Sequence, residues 1–300
     1  MTDGQAEETG STLPRRQLGR YLKEAREGAG LTLEQAASLM EWHKSTLSRL
    51  ERGLTEKVRV RDVSGLCEVY GLSEGKTAVA EGLAEQTPAK SWWHTYGDLI
   101  PAWFNLYVGL EAGAKELAIF QPLLIPGLLQ TRAYARAIDR RYFAEDTDEE
   151  LERRVQLRIQ RQHMLTRSRH PTKVWFVLHE AVLRTIVGDR CVMASQLRHL
   201  ADVGTLDNIE LRILPFHAGI PVGMALPPFT ILDFGNDVRG KLIEPPVIYC
   251  ESYTGSAYLE GRADVLRFRQ AFTVLQQASL DSRPSRDLLR EMAREFDRDR

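Results

Sequence analysis

The sequence predicts two domains of different class: an all-α unit of five helices, followed by an α+β unit with a small, mostly antiparallel sheet. Three observations carry this. The chain has 300 residues, about twice the usual domain length. Residues 13–85 show helical periodicity alone, in short stretches stopped by Gly28, Gly30, Gly53 and Gly71. Beyond residue 90, β-branched and aromatic runs alternate with amphipathic helical ones.

Taken in order, residues 1–12 are polar and read as a disordered tail. Leu18, Leu22 and Ala25 form the inward stripe of a first helix that begins near Arg15. Thr32 reads as an N-cap, and Gln35, three residues on, completes a capping box. That second helix runs to about Met40, with Leu33, Ala36 and Ala37 inward. A third begins near Lys44 and points Leu47 and Leu50 inward. A fourth starts after Asp62, with Val63, Leu66, Cys67 and Tyr70 inward, and a fifth covers roughly residues 74–84. Thr87, Pro88 and Ala89 mark the boundary, which gives domains at 13–85 and 90–300. In the second domain, helices are expected at Trp103 to Phe120, Thr131 to Tyr142, Glu149 to Arg167, Ala181 to Val187, Cys191 to Val203, Val265 to Ala278 and Asp287 to Phe296. Strands are expected at Lys173 to His179, Ile209 to Leu214, Phe229 to Phe234 and Val247 to Glu251.

Composition excludes several classes. Forty basic against 41 acidic residues leave a net charge of −1. No run approaches the ~18 apolar residues of a membrane-spanning helix, so no membrane partner is expected. The acidic, polar start is neither a signal nor a transit peptide. Three widely spaced cysteines, Cys67, Cys191 and Cys250, argue against a disulfide framework and for a reduced, cytoplasmic setting. The charge is unevenly spread: Leu13 to Asp62 carries 11 basic and 7 acidic residues, and six of those 11 fall between His43 and Arg61. A basic patch on one small domain of a neutral chain fits a nucleic-acid binder with a larger non-binding remainder, or else a solvated charged face.

Two short helices around a tight turn, with the small Ala37 at their crossing, suit a helix-turn-helix. A helix entering a major groove ~12 Å wide needs a small, polar outer face at its N-terminal end. Lys44, Ser45, Thr46, Ser48 and Arg49 provide one, while Leu47 and Leu50 hold the helix to the domain. Past the helix, Lys57 and Arg59 have phosphates rather than bases within reach. The run Ser48-Arg49-Leu50-Glu51-Arg52-Gly53, together with five helices, resembles the Xre or phage-repressor family of helix-turn-helix transcriptional regulators. The resemblance implies base contacts from Lys44, Ser45 and Arg49, and phosphate contacts from Thr32, Gln35 and Thr46 beside Lys57 and Arg59. It also implies a structural ion pair between Arg26 and Glu51. His43 at the N-cap and Trp42 before it depart from the family, which has Ser or Thr and a small aliphatic residue there. One recognition helix covers only ~4–5 base pairs, so a homodimer on an inverted-repeat operator in double-stranded DNA is expected. An exposed final helix, with Leu288, Leu289, Met292 and Phe296, is expected to supply part of its interface.

The second domain carries Trp92-Trp93, Trp103-Phe104, Glu111-Ala112, Ile125-Pro-Gly-Leu-Leu-Gln-Thr131 and Tyr134-Ala135. Further on come Arg158, Arg161-Gln162, Leu178-x-Glu180-Ala181 and Leu214-Pro215-Phe216. In this order they resemble the C-terminal domain of actinobacterial antitoxin-like transcriptional regulators, the WhiJ-like group. The resemblance implies a domain that senses a ligand or a small acidic partner protein. The alternative is an antitoxin-like interaction protein that mainly binds that partner. Trp92, Trp93 and Trp103 read either as a core seam or as one wall of a ligand pocket. Arg158 and Arg161, three apart on a helix, either clamp an anion or pair with Glu111, Glu180 or neighbouring acids. Glu180, beside a strand end, reads either as a general base or, as expected here, as the cap of the helix that follows it. The loop from Gly219 to Pro228 is a lid, a partner contact or a plain connection. H-E-x-x-H, zinc-spaced Cys/His pairs, G-x-S-x-G and Gly-rich phosphate loops are missing, so neither an enzyme nor a metal or other cofactor is expected.

Overall fold

The computed structural model describes residues 13–55, 58–85, 87, 96, 98–99, 102–236, 240, 242–253 and 255–298. The expected tail and most of the expected linker lie outside these described residues. The chain divides into two units, Met1–His94 and Thr95–Arg300.

In the first unit, five helices close over one core: α1 (Leu13–Gly28), α2 (Leu33–Leu39), α3 (Lys44–Glu51), α4 (Val60–Val69) and α5 (Glu74–Glu85). The inward stripes converge, with Leu18, Leu22, Ala36, Ala37, Leu47, Leu50, Val63, Leu66 and Cys67 all buried in one cluster. α4 begins two residues before the expected Asp62, because Val60 also packs against that cluster. Thr87 is no open linker residue. Its hydroxyl donates to the Ala84 carbonyl, and its own carbonyl accepts from the Arg15 guanidinium.

The first four helices end in one way. After α1, the amides of Gly30 and Leu31 donate to the carbonyls of Glu27 and Arg26. The same paired bonds close α2 through Glu41 and Trp42, α3 through Gly53 and Leu54, and α4 through Gly71 and Leu72. This closure needs a left-handed residue at its first position. Glycine supplies it three times, whereas α2 ends on Glu41 at φ 57°. A side chain in that region costs ~1–2 kcal/mol, so the turn of the helix-turn-helix is held in place by the packing around it.

The second unit is built on a six-stranded sheet in the order β3-β2-β1-β4-β5-β6. Its strands are β1 (Glu116–Gln121), β2 (Lys173–His179), β3 (Ile209–Leu214), β4 (Phe229–Asp233), β5 (Val247–Ser252) and β6 (Gly255–Leu259). β1, β2 and β3 run parallel, while the β1–β4, β4–β5 and β5–β6 pairings are antiparallel. The sheet is thus mixed, with the antiparallel pairings in the majority. The helices are α6 (Ala102–Gly113), α7 (Arg132–Tyr142), α8 (Asp148–Thr166), α9 (Ala181–Arg184), α10 (Arg190–Val203), α11 (Arg262–Ala278) and α12 (Ser282–Arg298). One sheet face carries Phe120, Val177, Phe229 and Ile248 and is covered by Phe272 and Leu275 of α11. On the other face, Tyr107 of α6 stacks on Tyr249 of β5 with ring centroids 4.1 Å apart.

Three expectations are corrected. The helix expected over Trp103 to Phe120 stops at Gly113, and Glu116–Gln121 is the strand that joins the parallel and antiparallel halves. A short apolar run satisfies either period, and here two neighbouring strands claim its backbone. β6 was not expected at all, since Gly-Ser-Ala-Tyr-Leu has little of a strand's composition. Finally, α12 is not an exposed helix offering an apolar face. Leu289, Met292, Ala293 and Phe296 are buried, and the stripe is spent inside the unit, where Arg198 of α10 pairs with Asp297 and Arg190 stacks over the Phe296 ring.

Gly19 of α1 sets the closest helix approach in the first unit. A Cβ there would lie 2.4 Å from the Glu51 carbonyl oxygen and 2.6 Å from that of Leu50. Gly19→Ala should therefore destabilise the unit by about 3 kcal/mol, the upper range for overpacking against atoms that cannot yield. Glu41→Gly should stabilise it by about 0.5–1 kcal/mol, the relief of left-handed strain less the entropy of glycine. Hydrogen exchange at the Leu47 and Leu50 amides reads both changes, and unaltered protection in Gly19→Ala would contradict the first.

Candidate nucleic-acid interface

The outer face of the helix-turn-helix is laid down by α2 and α3. Thr32 caps α2, and the capping box is complete: the Gln35 amide donates to Thr32 Oγ1 at 3.2 Å, and the Thr32 amide donates to Gln35 Oε1 at 2.9 Å. Both side chains are exposed. With its acceptor engaged, Gln35 keeps its NH₂ donors, and Thr32 keeps its hydroxyl proton.

His43 caps α3. Its Nδ1 accepts the Ser45 backbone amide at 3.3 Å and lies 2.7 Å from Ser45 Oγ. The histidine does the work that Ser or Thr does in the resembled family, so the departure noted at this position leaves the helix start intact. Trp42 packs on the core, its amide closing α2 on the Ala37 carbonyl.

Along α3, Lys44, Ser45, Thr46, Arg49 and Arg52 are exposed, whereas Leu47, Leu50 and Glu51 are buried. Arg49 has no ion-pair partner among the described residues. Lys44 does have one: its Nζ lies 3.4 Å from Glu34 Oε2 on α2. Glu34 carries no signal for this role in the sequence, because the contact spans the turn and no spacing rule reaches across it. Arg59, exposed, is the N-cap residue of α4 and makes no side-chain cap. Lys57 lies outside the described residues.

Arg26 and Glu51 form a bidentate pair, with Nε–Oε1 at 2.7 Å and Nη2–Oε2 at 3.0 Å. A third donor of Arg26 reaches the Leu31 carbonyl at 2.8 Å. The hydrogen bond to Glu51 raises the Arg26 pKa above its ordinary value, against the opposing effect of burial. Burial pushes the neighbouring Tyr70 hydroxyl upward, and the Glu51 carboxylate adds to the effect.

In the second unit, the two candidate arginines meet internal acids. Arg161 Nε and Nη2 donate to the two Glu111 oxygens at 2.6 and 2.8 Å, and the guanidinium lies over the Phe104 and Tyr107 rings. Arg158 donates to Gln130 Oε1 and Asp139 Oδ1, each at 2.8 Å. Burial raises the Asp139 pKa despite Arg158. Glu180 does not cap α9; it pairs with Arg184 and accepts the Phe216 amide at 3.0 Å. Trp92, Trp93 and the Trp103 side chain lie outside the described residues. Among the described residues, no three His, Cys, Asp or Glu are grouped to hold a metal ion, and no helix is long and apolar enough to cross a membrane.

Residues 104–291 match a family described as a domain of unknown function, DUF5753. The chain belongs to the DUF5753 family. Residues 17–80, ahead of that domain, match a helix-turn-helix domain, and those bounds take in the cap of α2, the whole of α3 and the Arg26–Glu51 pair. The helix-turn-helix supports a DNA-binding regulator. No curated protein and no solved structure matches the chain.

In this DUF5753 chain the Arg26–Glu51 pair is internal, so its loss should act on stability first. Arg26→Ala leaves Glu51 buried and unpaired and should cost about 3–5 kcal/mol, whereas the double change Arg26→Met, Glu51→Leu should recover much of that. Urea unfolding followed by circular dichroism distinguishes the two variants. Equal destabilisation of single and double variants would count against a paired, desolvated contact.

Proposed function

We propose that the chain is a sequence-specific, cytoplasmic transcriptional regulator that binds double-stranded DNA as a homodimer. Two copies of α3 would occupy successive major grooves of an inverted repeat, with half-sites about one helical turn apart. The observation that carries this reading is the division of α3, which buries Leu47 and Leu50 and exposes Lys44, Ser45, Thr46 and Arg49. Arg49 suits guanine O6 and N7, and the Ser45 hydroxyl can meet a base edge as donor or acceptor. The Gln35 NH₂, the Thr32 hydroxyl, Thr46 and Arg59 border the helix where phosphates run. The second unit is a non-catalytic sensor, needing no cofactor, that answers to a small ligand or an acidic partner protein.

A second reading, an antitoxin-like protein that mainly binds a partner, is favoured by one observation. Phe216, Ile220 and Met224 are 52%, 66% and 64% exposed on a single connection, an apolar surface that a partner would cover.

Selection from random duplex DNA with the full-length protein tests the first reading, and an inverted repeat should emerge. On that site Arg49→Ala should lose about 1–3 kcal/mol of discrimination while binding random DNA nearly unchanged. Arg59→Ala should weaken both equally and lower the salt slope by about one. Glu34→Gln, which releases Lys44 and removes a charge facing the phosphates, should tighten binding several-fold at low salt. Absence of any selected sequence, or retained preference in Arg49→Ala, would refute base reading by α3.

A further inference from the structure

A groove of about 370 Å³ opens between β1, β2, β4 and α11. Its floor is a row of three residues in register across neighbouring strands, Trp175, Ala118 and Ile231. This is the face that α11 covers with Phe272 and Leu275; Phe272 forms part of the groove wall, and the groove lies where that cover is incomplete. Trp175 is only half-buried there, though a tryptophan in the middle of a sheet face is ordinarily sealed. The size is that of a small-molecule site, which typically combines an apolar floor with a few convergent polar groups.

The polar groups on the rim are Glu116, Asp233, Arg269, Thr273 and Gln276. Glu116, the first residue of β1, is half-buried, and its carboxylate has no hydrogen-bond or ion-pair partner among the described residues. Its register neighbour Asp233 is paired with Arg269, so Glu116 is the groove carboxylate without an ion-pair partner among the described residues. Lys173, Glu116's other register neighbour, is exposed and makes no ion pair with it. The Thr273 hydroxyl donates to the Arg269 carbonyl at 3.0 Å, so its oxygen offers only lone pairs to the groove. An aromatic floor attracts a cation over its face, and a carboxylate with a neighbouring acceptor oxygen binds N–H donors.

We propose that this groove is a binding site for a small organic cation, an amine or amidine on a flat hydrocarbon frame. The frame lies on Trp175, and the charged nitrogen meets Glu116. The site is separate from the Arg158 and Arg161 cluster, whose cations are already held by Asp139 and Glu111. The inference adds a ligand class to the sensing role without depending on the DNA-binding reading, because occupancy is measured without DNA.

Isothermal titration of the full-length protein with p-aminobenzamidine tests it, against the neutral p-aminobenzamide and the anionic p-aminobenzoate. The amidine should bind with one-to-one stoichiometry, about tenfold or more tighter than either analogue. Glu116→Gln should reduce its affinity about tenfold, and Trp175→Leu by a similar factor. Arg269→Gln, which frees the Asp233 carboxylate, should tighten it several-fold. No saturable binding below about 10 mM, equal affinity for the three probes, or an unchanged affinity in Glu116→Gln would overturn the proposal. If Glu116→Gln does not fold, Arg269→Gln decides: tightening supports the site, and unchanged or weaker binding refutes it.

Discussion

The contact between α1 and α3 is the constraint on which the helical unit depends. Gly19 lets the α1 backbone come against the Glu51 and Leu50 carbonyls, closer than any side chain would permit. A few residues along, Arg26 of α1 holds Glu51 through two hydrogen bonds inside the core. Glycine removes the steric barrier, and the ion pair fixes the angle and register in which the helices meet. Hydrophobic burial of Leu47 and Leu50 alone would tolerate sliding or rotation of α3 about its axis. A bidentate guanidinium–carboxylate pair does not. The rotation of α3 therefore follows from α1, and with it the identity of the side chains that face outward.

The same unit balances strain against packing at its functional turn. Three of four helix ends use glycine at the left-handed position, while the turn between α2 and α3 places Glu41 there. Trp42 immediately afterwards packs on the core, and His43 caps α3 in the next step. These consecutive residues convert an unfavourable backbone conformation into a sharp change of direction anchored on one side by an indole and on the other by an imidazole. The charge pattern outside the turn is just as local. Glu34 holds Lys44 in the free protein, so part of any DNA contact made by Lys44 replaces an existing interaction and does not add a new one.

In the second unit, polar groups that look like chemistry when read along the chain are absorbed by structure. Glu111 and Arg161 neutralise one another through two hydrogen bonds between two packed helices, while Asp139 meets Arg158 through Oδ1 alone and its Oδ2 is buried without a hydrogen-bond partner among the described residues. Burying Glu111 and Arg161 this deeply is tolerable because both carboxylate oxygens are met with good geometry. The rim of the sheet groove is different, for Glu116 keeps its carboxylate unpaired beside a half-covered tryptophan. Between the two clusters, it is the half-buried one at the groove that remains open to a ligand.

Most of the helical unit was legible in the sequence, because its signals are local. The Thr32 and Gln35 capping box, the glycine stops and the spacing of Leu18, Leu22, Leu47 and Leu50 each act within a turn or two of helix. The outward set on α3 followed from the same periodicity. The N-cap position of His43 was legible too, but Lys44's partner Glu34 was not, since that contact depends on how the chain folds back at Glu41. In the second unit, Lys173–His179 and Ile209–Leu214 declared themselves as strands by composition. Glu116–Gln121 did not, because its apolar pattern fits either a helix or a strand, and only pairing with β2 and β4 decides between them. The apolar stripe of α12 was equally visible, yet nothing in its own residues says whether it faces α10 or solvent. Local periodicity determines which face of an element is apolar; what that face meets is set by contacts between residues far apart in the chain, and only the tertiary structure holds those.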